Sequence, residues 1–211
     1  MTQLLHVIAS PGGEASNSTA AATELVAAYR ERNPGHRVET VNVWDLDLPA
    51  FDATMIATKF AVLRTQAATE AQKAQWARAV AISQAFNAAD RYVFSLPMWN
   101  YGIPYRLKHY IDIVTLPGQN WSWSRAEGYQ PLLRGKRAAL VYSSAGDFSQ
   151  PAASSGAYED FQKPFMRQWL RFIGVEVVDE IALAPTLTDP QQLAQIRQAG
   201  ERKARDVALR L

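Results

Sequence analysis

The chain has 211 residues, 48% hydrophobic and 20% charged, enough for one substantial core but short for two, so residues 1–211 are expected to form a single domain. Lys and Arg (22) barely outnumber Asp and Glu (20), and the resulting net charge of +2 is spread along the chain, which gives no support to nucleic-acid binding. There is no cysteine, which excludes disulfides, thiolate nucleophiles and cysteine-ligated metals or clusters; redox chemistry here needs a bound cofactor. The opening Met1-Thr2-Gln3 carries no basic leader, and no apolar run approaches the roughly 20 residues that span a bilayer, so a cytoplasmic location away from membranes is expected.

Leu4 to Ala9 is a nearly continuous apolar run ending at Ser10-Pro11-Gly12-Gly13, the pattern of a strand buried on both faces that runs into a loop. Ser18 or Thr19 can cap a helix whose stripe is Ala22, Leu25, Val26 and Tyr29 and whose stop is Asn33-Pro34-Gly35. Arg37 to Val43 alternates as an outer strand would. Asp45 to Ala68 has weak periodicity and reads as an excursion over the surface. Glu70 to Ala89 predicts a helix, with Trp76 and Val80, and Ile82 and Phe86, paired at a spacing of four.

Arg91 to Leu96 reads as a central strand ended by Pro97. Pro104 suits the first turn of the following helix, whose stripe is Leu107, Tyr110, Ile111 and Val114, and Pro117-Gly118 stops it. Ala138 to Tyr142 is another apolar strand. The loop after it runs to Gly156 and is rich in Ser, Ala and Gly. Tyr158 to Ile173 has a helical pattern that Gly174 closes; Val175 to Leu183 is a fifth strand; Asp189-Pro190 starts a last helix. Five strands alternating with five helices predict an α/β fold: a five-stranded parallel sheet with helices on both faces. Ligands of such sheets bind beyond the carboxyl ends of the strands, which directs attention to three loops.

The first loop, Ser10 to Thr19, offers Ser10, Ser16, Asn17 and Ser18 beside a helix start, where unpaired amides and the helix dipole favour an anion such as phosphate. It contains neither the Gly-Lys-Ser/Thr of a Walker loop nor G-x-G-x-x-G. The second, Pro97-Met98-Trp99-Asn100-Tyr101, combines large planar side chains with an amide that can donate and accept, which suits a flat heteroaromatic ring; packing of the aromatics under a turn is the plainer alternative. The third, Ser143-Ser144-Ala145-Gly146, is small enough for a ring edge to approach the backbone.

Taken in order, Ser16-Asn17-Ser18, Pro97 to Tyr101 and Ser143 to Gly146 resemble the FMN-dependent NADH-azoreductase family, called acyl carrier protein phosphodiesterase in older usage. Leu170 to Val175 is similar to the family's segment before its last strand, so the resemblance spans nearly the whole chain. It implies a flavodoxin-like fold, a homodimer, and FMN-dependent reduction of quinones or azo compounds by NADH or NADPH, the acceptor being a small aromatic molecule. Carried over by position, Ser10, Ser16, Asn17 and Ser18 would hold the FMN phosphate, Pro97, Met98, Trp99, Asn100 and Tyr101 would line the isoalloxazine, and Ser143, Ser144, Ala145 and Gly146 would meet its pyrimidine edge. Trp121, Trp123 and Phe172 would wall the acceptor pocket. The flavin would carry the chemistry, with no catalytic side chain required.

The chain departs from the family pattern at Ala145-Gly146, where two glycines are usual, and at Trp99, where tyrosine is common. A flavodoxin-type single-electron carrier would bind the same FMN, although such carriers are typically acidic. His6, His36 and His109 show no metal-ligand spacing, and His6 reads as a satisfied core residue. Asp45 and Asp47, interleaved with Leu46 and Leu48, read as solvated acids at a strand end.

Overall fold

The computed structural model describes residues 1–64, 68–149 and 158–211. Five parallel strands form the central sheet: β1 (Gln3–Ile8), β2 (Arg37–Asn42), β3 (Arg91–Pro97), β6 (Lys136–Ser143) and β7 (Val175–Leu183), in the order β2-β1-β3-β6-β7. Two short strands, β4 (Trp121–Ser124) and β5 (Gly128–Pro131), form a separate antiparallel hairpin. The chain winds outward from β1 to β2 and then returns to the other side of β1 for β3. The switch of direction therefore lies between β1 and β3, and in such folds ligands bind at the carboxyl edge beside it.

The expected five-stranded parallel sheet is present with its helices on both faces. On one face α1 (Asn17–Arg32) and α6 (Pro190–Ala208) place Ala22, Leu25, Tyr29, Ala204 and Val207 against Leu4, Val93 and Val141. On the other, α3 (Glu70–Asn87), α4 (Tyr105–Val114) and α5 (Gln162–Ile173) bring Phe86, Leu107, Tyr110, Met166 and Trp169 onto Phe94, Leu96 and Leu140. Side chains as fully buried as Phe94 and Leu107 each contribute about 1.5–3 kcal/mol from the water they exclude. Strands β1, β3 and β6 are apolar on both faces because both faces are covered, whereas β2, at an edge, is half exposed along its length.

The structure corrects four sequence expectations. The first helix starts at Asn17, with Ser16 rather than Ser18 or Thr19 at its N-cap position. The excursion from Asp45 to Ala68 contains a helix, α2 (Ala53–Leu63), capped by Asp52, whose carboxylate accepts from the Met55 amide at 3.0 Å. Residues 65–67 of that stretch lie outside the described residues. The helix expected from Tyr158 begins at Gln162; the Asp160 carboxylate accepts from the Gln162 and Lys163 amides, and Pro164 falls in the first turn, where proline is tolerated. The β4–β5 hairpin was not anticipated. Of the loop after β6, residues 150–157 lie outside the described residues.

Candidate functional site

The three loops emerge side by side. Register pairs Ile8 with Ser95 and Pro97 with Ser143, so the chain leaves β1, β3 and β6 at one level of the sheet. Cross-links then fix the loops to one another: the Ala9 amide donates to the Ser95 carbonyl at 2.9 Å, and the Met98 amide to the Ser143 carbonyl at 2.7 Å.

In the first loop Ser10 is buried and its hydroxyl accepts from the Gly12 amide at 3.3 Å. Ser16 is the N-cap of α1 but makes no side-chain capping bond; its hydroxyl lies 3.2 Å from that of the fully buried Ser18. The hydroxyl of Thr19, 4% exposed, has no partner among the described residues. A helix start left uncapped, beside buried hydroxyls of which one is orphaned, has donors to spare for an anion. Asn17 is held from elsewhere: its Oδ1 accepts from Arg197 Nε at 2.7 Å.

The second loop is a two-residue hairpin turn. Trp99 and Gly102 exchange both backbone hydrogen bonds, at 3.0 and 2.9 Å, and the central residues Asn100 and Tyr101 have φ of 47° and 68°. Asparagine tolerates that left-handed backbone, but a tyrosine there is uncommon and costs energy that the surrounding contacts must hold in place. The turn separates its aromatics. Trp99 packs back onto Trp44 and Tyr105, with ring centroids 5.7 and 6.3 Å away, and so takes the plainer reading of a ring packed under a turn. Trp44 Nε1 in turn donates to the Ala9 carbonyl at 3.0 Å, linking this cluster to the end of β1.

Tyr101 projects the other way, toward Phe148 and Tyr158, at 6.2 and 5.1 Å. There Met98, Asn100, Tyr101, Ala145, Gly146 and the two aromatics line an open cleft of about 380 Å³. The third loop is tethered by the segment after β7: the Ser144 carbonyl accepts from the Thr186 amide and hydroxyl, and the Ala145 carbonyl from the Leu187 amide. The Phe148 ring lies over Gly146, close enough that a Cβ there would make ordinary van der Waals contact with it at 3.4 Å. A larger groove, about 770 Å³, runs along the opposite side of the second loop past Gly102, Ile103 and Tyr105 to Phe51, Phe161 and Phe165.

The loop residues read from the sequence thus meet at one edge, Trp99 with its ring turned aside. Trp121, Trp123 and Phe172 do not join them. Trp121 and Phe172 pack with tilted rings 5.6 Å apart, but α5 starts beside Pro97 and runs ten residues, about 15 Å, before reaching Phe172 at the amino edge of the sheet. Residues missed in the sequence include Trp44, Phe148, Tyr158 and Gln162. Phe148 and Tyr158 flank the Ser/Ala/Gly-rich stretch, and that contrast in composition was the available signal.

His6 is buried and shares a 3.0 Å hydrogen bond with Ser95 Oγ; burial lowers its pKa to about 4, so it is a neutral core residue below the site. Asp47 is solvated and ion-paired with Arg78. No group of three metal-ligating side chains occurs among the described residues, and no described helix is long and apolar enough to cross a membrane.

A family model described as flavodoxin-like fold matches residues 2–207. The FMN-dependent NADH:quinone oxidoreductase of Desulfotalea psychrophila is 39% identical over 189 residues, covering 90% of this chain and 88% of its own. FMN-dependent NADH:quinone oxidoreductase 3 of Pseudomonas fluorescens is 36% identical over 211 residues, covering 100% and 98%. Among solved structures, the azoreductase of Bacillus anthracis superimposes with a TM-score of 0.88 at 25% identity, with both chains covered completely.

Proposed function

The chain belongs to the flavodoxin-like family that includes the FMN-dependent NADH:quinone oxidoreductases, and on that premise we propose that it passes two electrons from NADH or NADPH to quinones, azo compounds or both by ping-pong hydride transfer. It is an FMN-dependent oxidoreductase. The observation that carries the finer reading is the convergence at one sheet edge of an uncapped, hydroxyl-rich helix start and an aromatic-lined cleft: a seat for phosphate beside a seat for a ring.

The residues present fit FMN. Ser10, Ser16, Ser18 and the first amides of α1 would hold its phosphate, with the orphan hydroxyl of Thr19 supplying a further donor within the same turn. Met98, Asn100 and Tyr101 would line the ring, Asn100 offering its amide along the edge, and Pro97 and Trp99 would support that turn from behind. Ser143, Ser144, Ala145 and Gly146 would meet the ring's polar edge with backbone and hydroxyl groups. The cofactor supplies hydride acceptance and donation; the chain supplies binding, orientation and fixed donors where negative charge gathers. Bringing nicotinamide face to face with the ring would be the positioning task of the cleft walls.

A homodimer in the cytoplasm belongs to the same reading. Phe51, Ile56, Phe60 and Leu63 are exposed along and before α2, apolar side chains that a second copy would cover. Since Trp121, Trp123 and Phe172 stand at the far edge of their own sheet, they can wall an acceptor pocket only when a second copy brings them to it.

The test is a steady-state screen of NADH and NADPH against a quinone and an azo acceptor, with anaerobic reduction followed by colour. Parallel double-reciprocal lines and direct bleaching to the two-electron-reduced state are expected. Absence of FMN binding would overturn the reading, and a persistent spectrum between the oxidised and fully reduced states would favour a single-electron carrier instead.

A further inference from the structure

The first loop contains no lysine or arginine, so a phosphate seated there would have only amides and hydroxyls from its own segment. The fold supplies a cation from elsewhere. Arg197, on the second turn of α6, reaches across to the start of α1 and donates from Nε to Oδ1 of Asn17 at 2.7 Å, linking residues 180 positions apart. It forms no ion pair among the described residues, whereas Arg205, two turns further along the same helix, pairs with Glu24 of α1 at 3.3 Å.

The polarity of this bond decides what Asn17 can present. An amide side chain ends in one acceptor oxygen and one NH2 donor group, and only the donor attracts an anion. With Oδ1 engaged by the guanidinium, Nδ2 is the atom left over, and it has no partner among the described residues. The hydroxyl of Thr19, in the same turn, is likewise without a partner among the described residues.

We propose that Arg197 is a positioning residue for the phosphate end of FMN, locking the Asn17 amide with its donor toward the anion. The assignment rests on the FMN reading above. It makes a distinction the ring loops cannot: the contribution of Arg197 applies to a phosphorylated flavin and not to riboflavin.

The experiment titrates apoprotein with FMN and with riboflavin, reading flavin fluorescence, for the wild type, Arg197→Ala, Asn17→Ala, the double variant and Arg205→Ala. Loss of a charge-assisted contact should weaken FMN about tenfold in Arg197→Ala while leaving riboflavin within about twofold of wild type. Adding Arg197→Ala to Asn17→Ala should cost FMN less than about a further twofold, because the two act as one unit. Arg205→Ala should leave the FMN-to-riboflavin ratio unchanged.

A wild-type ratio in Arg197→Ala, an equal shift in Arg205→Ala, or a further tenfold loss in the double variant would overturn the proposal while leaving the FMN function standing. Failure of the wild type to bind either flavin would overturn both.

Discussion

The side-chain amide of Gln162 donates a 2.7 Å hydrogen bond to the carbonyl of Pro97, so the first residue of α5 holds the last residue of β3 at the mouth of the cleft. Gln162 is 1% exposed. Gln162→Leu keeps the bulk but strands the Pro97 carbonyl, and should cost about 1–3 kcal/mol. Urea denaturation checks the loss, and FMN affinity should fall with it because the second loop starts at that carbonyl.

The turn at Asn100 and Tyr101 separates backbone from side-chain roles. Asn100→Ala places a residue that disfavours φ of 47° in the turn and removes the amide; stability should drop by about 1 kcal/mol and flavin retention should weaken. Asn100→Gly removes only the amide. It should fold as stably as wild type yet share the defect in FMN binding, measured by fluorescence titration; wild-type binding in both variants would remove Asn100 from the ring's contacts.

His6 makes stability depend on pH. Its folded pKa, about 4, lies below the ordinary 6.5 because burial disfavours the charged ring, so between these values the unfolded chain binds a proton that the folded chain does not. Stability is therefore full above about pH 6.5 and declines as pH falls toward about 4, by up to about 3 kcal/mol, with no further loss from this group below that. His6→Gln, which can still pair with Ser95, should flatten that stretch of the denaturation profile.

Gly174 ends α5 with φ of 92°, and a Cβ there would sit 2.2 Å from the Leu133 carbonyl oxygen and 2.9 Å from Pro131 Cβ. Gly174→Ala must shift backbone as well as strain its own, and should destabilise by more than about 2 kcal/mol. The three loops proposed to hold the cofactor lie at the other edge of the sheet, so the fraction that folds should bind FMN normally, a combination that thermal melts and titration together detect.

Where burial is two-sided and continuous, the sequence is easy to read: β1, β3 and β6 stand out as apolar runs, and the loops that follow them could be picked by composition alone. The α2 helix is hard to read in the sequence for a physical reason. Only Met55 and Thr58 are buried in it, while Ile56, Phe60 and Leu63 face outward, so its apolar residues mark no single inner face. Its cap, Asp52, was the signal available. The β4–β5 hairpin shows alternation in Trp121-Ser122-Trp123-Ser124, but a run of four residues is too short to separate from a loop.

Within the site, the loop members were legible because each is local to a strand end. Gln162, Trp44 and Arg197 were not, because each acts through a bond to a residue tens to hundreds of positions away that no spacing rule connects.

The tether from Thr186 to Ser144 has a consequence for how the molecule is made. The third loop gains its hold only after β7 has been laid down, although the other two arise far earlier in the chain. The shape of that loop is thus completed late in synthesis, by residues about forty positions downstream, and on the proposed function any change in the segment just beyond Leu183 would be felt at the cleft while sparing all five strands.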